Sequence, residues 1–222
     1  MENEIKTKGG FLDSIKLGDH VCSIYKNKEE QFLTAIPFLK NGHEKKERCI
    51  YIVDENSREE IISEFEKTGV DIKGCIESGA FKILTKKETY LKDGFFDPDK
   101  MIILLKETEK TALEEGYSGM RVAGEMTWVL EGVKGGERLI EYESKLNDFF
   151  PGSKSTALCQ YNENKFTKDV LVEVIHTHPF LVIYGKLYEN NLYFSPAVYK
   201  KGEHPLLPID AYELIKNDII NS

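Results

Sequence analysis

The chain has 222 residues, 41% of them hydrophobic, which supports one sizeable core and leaves little room for two. Lys and Arg total 30 against 38 Asp and Glu, so a net charge of -8 offers no field that would attract nucleic acid or an anionic membrane surface. Met1 to Lys6 is charged and the longest apolar runs, such as Met101 to Leu105, are five residues; neither a secretory leader nor a membrane span is expected, and the expected location is the cytoplasm.

Residues 1 to 14 read as a flexible arm leading into a short amphipathic piece at Phe11, Leu12 and Ile15. Gly18 to Tyr25 is the opening strand, and the helix after it, Lys28 to Lys46, should bury Phe32, Leu33, Ile36 and Leu39 and kink at Pro37. Arg48 to Glu55 is an apolar run ending in two acids, the pattern of a strand buried on both faces. Ser57-Arg58-Glu59-Glu60 is a capping box that starts a helix ended by Gly69, with Ile61, Ile62 and Phe65 toward the core. Phe81 to Thr85 is the third strand, and residues 86 to 96, with their exposed aromatics, form a candidate lid.

Asp97-Pro98 opens a helix that Met101, Leu104, Leu105 and Ala112 carry to Gly116. Met120 to Trp128 is a fourth strand, and a helix follows from about Glu137 to Phe150. Thr156 to Tyr161 is strand five, Thr167 caps a helix through Ile175, and Phe180 to Tyr184 is strand six. A turn at Gly185-Lys186 leads into an antiparallel edge at Leu187 to Glu189. Residues 15 to 200 thus form one domain, and the tail, 201 to 222, carries a short helix through Tyr212, Leu214, Ile215 and Ile219. Strands alternating with helices of this length give an α/β fold of three layers, a mostly parallel sheet flanked by helices.

Ligands of such sheets bind beyond the carboxyl ends of the strands. Those ends carry Tyr25, Lys26, Asn27, Asp54, Glu55, Glu125, Thr127, Trp128 and Tyr161, an amphipathic mouth with Tyr25, Trp128 and Tyr161 as walls and the acids as polar anchors. A phosphate-binding loop needs glycines, a Lys and a Ser or Thr at fixed spacing, and residues 25 to 32 contain no glycine. A receptor for a small, partly apolar ligand therefore precedes an enzyme, although Asp54, Glu55 and Glu125 leave open a degenerate nucleotide-binding ATPase, and a scaffold that only assembles is a third option.

Four cysteines (Cys22, Cys49, Cys75, Cys159) contain no C-x-x-C pair and read as free thiols. His20 and Cys22 share one face of a strand and, with Cys159, His176 and His178, could be assembled into a metal site, but the spacing matches no strong metal motif. No metal and no cofactor are assigned on sequence.

Asp19 to Tyr25, Cys49 to Glu55, Gly119 to Trp128 ending in Gly-Glu-Met-Thr-Trp, Arg138 to Glu143 and Leu158 to Tyr161 together resemble the MEDS family, the methanogen and methylotroph sensory domain. The resemblance implies a fold like RecA-type and circadian-clock ATPases with a degenerate phosphate loop, and a role in sensing small hydrocarbon-derived or methylated compounds. It places Asp54 and Glu55 where the ATPases keep catalytic acids and Glu125 where they keep the magnesium-binding acid. Relatives often carry an attached kinase or DNA-binding segment, for which residues 1 to 14 and 196 to 222 are too short. Output is therefore expected through a separate partner such as a kinase or regulator, or through self-association as a homo-oligomer, with no direct contact to nucleic acid or membrane.

Overall fold

The computed structural model describes residues 14–200 and 211–221. Phe11, Leu12, and most of the expected arm and of the segment before the terminal helix lie outside them. The strands are β1 (His20–Tyr25), β2 (Arg48–Val53), β3 (Phe81–Thr85), β4 (Met120–Glu125), β5 (Ser155–Asn162), β6 (Phe180–Ile183) and β7 (Lys186–Glu189). They form one sheet in the order β3-β2-β4-β5-β1-β6-β7, parallel except for the β6–β7 edge. The hairpin turns at Tyr184-Gly185, one residue earlier than expected; both have positive φ (49° and 78°), the twist that a tight two-residue connection requires.

The helices are α1 (Lys28–Glu44), α2 (Arg58–Glu66), α3 (Ile72–Glu77), α4 (Pro98–Glu114), α5 (Leu139–Phe149), α6 (Lys168–His176), α7 (Pro196–Lys200) and α8 (Ala211–Asn221). Alternation along each strand sends one set of side chains to each layer. Val21, Cys49, Tyr51 and Leu158 pack under α1 and α2 with Phe38, Leu39, Ile61 and Phe65, while Cys22, Ile24, Val122, Cys159 and Leu181 pack under α4, α5, α6 and α8. Short α3 and α7 have too few turns for a periodic signal and are absent from the sequence reading.

α1 keeps Pro37 inside its span, on a half-buried position, and Leu33 beside it is exposed rather than buried. Thr167 starts α6 without a side-chain cap, and Leu214 of α8 faces outward. Two further expectations are corrected. β4 stops at Glu125, and Thr127–Glu131 coil into a 3₁₀ turn that carries Trp128 into the core instead of extending the strand. Residues 86 to 96 are no lid, because Tyr90 and Phe96 are buried: Tyr90 stacks on Trp128 with ring centroids 4.9 Å apart, and Phe96 meets Trp128 at 4.6 Å. Gly124 permits this packing, since a Cβ there would collide with the Tyr90 hydroxyl.

Candidate functional site

The start of α1 lies at the carboxyl end of β1, where a helix dipole and unpaired N–H groups would welcome an anion. This chain fills that place with its own acids. The Asn27 side chain accepts from Glu30 N–H at 2.9 Å, the Glu30 carboxylate accepts from Lys26 N–H at 2.9 Å, and Glu29 adds a further charge to the first turn.

The loop after β2 repeats the pattern. Backbone N–H groups of Asp54, Glu55 and Asn56 converge on one oxygen of Glu125 (2.8, 2.6 and 3.1 Å), and Asn56 Nδ2 donates to the other at 2.7 Å. Burial pushes the Glu125 carboxyl up, and these four donors offset that only in part. The same Asn56 amide reaches Gln31 at 2.9 Å, and Gln31, Tyr51 and Gln160 continue the buried polar chain under α1.

The other expected mouth residues are spread between surface and interior. Asp54 pairs with Lys86 at 2.7 Å and accepts from Thr127 at 2.6 Å; Lys86 also pairs with Glu131, and Glu55 with Lys165. Lys26 and Asn27 are exposed, and Lys26 lies 4.2 Å from the Tyr184 ring. Tyr25, Trp128 and Tyr161 are each no more than 2% exposed. The accessible apolar surface at this end belongs to other residues: a cleft of about 400 Å³ lined by Val129, Leu130, Val133, Ile140, Phe166 and Val170. Trp128 precedes Val129 in its 3₁₀ turn, and Tyr161 meets Phe166 edge-on at 5.1 Å, so both stand behind the lining.

On the opposite face of the sheet from Glu125, a second polar group is sealed in the core. His20 from β1, Cys159 from β5, Glu143 from α5 and His178 after α6 are all buried and converge at one point. Glu143 Oε2 lies 3.2 Å from His20 Nε2 and 3.4 Å from His178 Nε2, and Cys159 Sγ lies 3.5 Å from His20 Nε2. Tyr161 donates to the other Glu143 oxygen. Burial, reinforced by His178, pushes the His20 imidazole down to about 4, so it is neutral at pH 7. Burial would raise Glu143, but the His178 and His20 imidazoles outweigh that and hold it below the usual carboxylate range. Of the residues the sequence grouped here, Cys22 is buried outside this convergence and His176 packs against Phe194 instead. Glu143 was missed as a site residue; the available signal was an acid sharing the core-facing stripe of α5 with Leu139, Tyr142 and Leu146.

The sheet order, parallel but for one edge and flanked by helices on both faces, defines a RecA-like α/β domain, and its strand ends after β1 and β2 are capped by the carboxylates of Glu30 and Glu125. The family model of the MEthanogen/methylotroph, DcmR Sensory domain (MEDS) matches residues 19–179, most of the chain, and the protein belongs to that sensory family. Among solved structures, a KaiC-like protein from the hyperthermophilic archaeon Pyrococcus horikoshii OT3 is similar in fold, with a TM-score of 0.52 and 12% identity over 75% of this chain and 70% of that one. No curated protein matches. Among the described residues, no helix is long and apolar enough to cross a membrane.

Proposed function

We propose that the domain senses a small organic compound, hydrocarbon-derived or methylated, without transforming it, and reports occupancy through a separate protein such as a kinase or regulator. The observation that carries this reading is the self-satisfied strand end: Glu30 and Glu125 already accept from the backbone N–H groups of Lys26 and of Asp54, Glu55 and Asn56, donors that an incoming anion would otherwise find free. A polyphosphate arriving there would displace neither carboxylate without leaving it unpaired beside a second anion.

What the same edge does offer is the apolar cleft between Val129 and Val170, of a size suited to a compact ligand. Trp128 and Tyr161 support its wall from behind Val129 and Phe166. Closure of Leu130 and Val133 over an occupant would change the surface that a partner reads.

Thermal-shift and calorimetric screening against methylated amines, methylthiols, haloalkanes and Mg-ATP tests this. A true ligand at one hundred times its Kd adds about 3 kcal/mol, a rise in Tm of roughly 5–10 °C for a chain of this size, and Val170→Trp should abolish it by filling the cleft. Tight binding and turnover of Mg-ATP, with no organic compound shifting Tm, would refute the proposal.

A further inference from the structure

The two imidazoles in the buried group under α5 have their protons assigned by their outer partners. His178 Nδ1 lies 2.7 Å from the Val174 carbonyl, which only accepts, so that nitrogen carries the hydrogen. Asn147 Nδ2 donates to the Glu143 and Thr177 carbonyls, which turns Asn147 Oδ1 toward His20 Nδ1 at 3.0 Å as an acceptor. His20 Nδ1 is therefore the donor as well. With each ring neutral, as metal ligation requires, both Nε2 atoms present lone pairs to the same Glu143 oxygen.

The Cys159 thiol can serve one of them, His20. His178 Nε2 and Glu143 Oε2 still have no donor in the sealed interior, and they lie 3.4 Å apart. A bridging water does not fit between them, because one donating two bonds of about 2.8 Å would hold its acceptors about 4.5 Å apart. Among the described residues, no Lys or Arg pairs with Glu143; the groups that face its second oxygen are the two imidazoles.

We propose that His20, Glu143, Cys159 and His178 form a binding site for a divalent transition-metal ion of borderline softness, with Zn²⁺ as the occupant. Four bonds of about 2.0–2.3 Å to N, O and S ligands in a tetrahedron place neighbouring ligand atoms about 3.3–3.6 Å apart. Three of the separations here are 3.2, 3.4 and 3.5 Å, and all four ligand atoms lie within 4.8 Å of one another. The charges balance also: one dication, one carboxylate, one thiolate and two neutral imidazoles sum to zero, the condition an ion needs in a low-dielectric core. Binding breaks the Cys159 S–H bond, forms the metal–sulfur bond and releases the proton to solvent.

The surrounding shell has the form such sites take. Each imidazole donates its remote N–H to a fixed acceptor, and the free oxygen of Glu143 accepts from Tyr161, which sets ring and carboxylate orientation before any ion arrives. With four protein ligands and no exposed face, the site is structural, a clamp joining β1, β5, α5 and the segment after α6, and the ion enters as the chain folds. This assignment is independent of the ligand cleft, since neither requires the other to be filled.

The test uses the untagged full chain, unfolded and refolded with one equivalent of Co²⁺ or Zn²⁺. The expected result is one ion per chain, with Co²⁺ giving intense visible bands of tetrahedral geometry and a near-ultraviolet sulfur-to-cobalt transition. Cys159→Ser should lose the sulfur transition and keep the visible bands, Cys22→Ser should keep both, and Asn147→Ala should weaken affinity about 10–100-fold. If Cys159→Ser fails to fold, X-ray absorption on the zinc-loaded wild type decides: one sulfur at about 2.3 Å beside three N or O ligands is expected. A natively folded chain that takes up no ion, or a ligand shell holding no sulfur or several, would overturn the assignment.

Discussion

The two faces of the sheet each hide a glutamate, and they are buried on opposite terms. Glu125, under α1, sits where four hydrogen-bond donors meet it. Glu143, under α5, has one donor on one oxygen and, with the other, faces two imidazole nitrogens without a hydrogen bond. Four N–H donors, reaching both oxygens, make the first a finished structural joint, whereas the incomplete shell of the second marks a place built for a further atom. Burial alone does not distinguish them; the count of donors does.

The largest effect should come from breaking the finished joint. Glu125→Leu takes the acceptor from three backbone N–H groups and from one N–H of the Asn56 amide, whose other stays on Gln31, and chemical denaturation should show a loss of about 4 kcal/mol. Next comes acid. In the metal-free protein, folded His20 protonates only near 4 while the unfolded residue does so near 6.5, so the unfolded state binds the extra proton between those values and stability rises with pH there. Lowering pH from 6.5 to 4 should therefore remove about 3 kcal/mol at His20, and His20→Gln should flatten that part of the titration. The two acids slope oppositely: Glu125, raised, favours folding below the carboxylate range, and Glu143, lowered, favours it above.

A smaller loss, about 2 kcal/mol from overpacking, is expected for Gly124→Ala, whose methyl would dislodge Tyr90 from Trp128 and weaken tryptophan-based spectroscopic signals of that stack. The smallest change is the most discriminating. In the metal-free state Glu143→Gln should shift stability by less than about 1 kcal/mol, because the new NH₂ group can donate to the waiting imidazole nitrogens while its oxygen keeps the Tyr161 bond. A cost as large as that at Glu125 would mean that the two faces are equivalent after all.

Most of the fold was legible in the sequence because parallel strands write themselves as apolar runs such as Cys49 to Val53 and their helices as capped periodic stretches such as Ser57 to Phe65. The order of strands was not, since β1 lies between β5 and β6 and no local signal encodes a neighbour more than a hundred residues away. Met126 to Trp128 read as more strand because the segment is apolar, but the loop amides that receive Glu125 end the ladder there, and Trp128 leaves it for the core. The aromatics of residues 86 to 96 looked exposed for want of a visible partner; the partner is Trp128 and the space that Gly124 leaves. Strand parity grouped His20 with Cys22, and Cys159 joined them only as a candidate; the fold brings His20 and Cys159 together without Cys22, and Glu143 lies on a helix whose rotation relative to the sheet is fixed only by packing.

Pro37 divides α1 into two hydrogen-bonded ladders, because it cannot supply an amide to the Leu33 carbonyl. Beyond that break, the carbonyls of Phe38 and Leu39 are clasped from the sheet by Arg121 Nη1 at 3.2 Å and the Cys49 thiol at 3.1 Å. The first half of the helix can thus fray as a unit while the second stays docked, and deuterium exchange should resolve two protection classes along this one element, the faster at the end that abuts Tyr25.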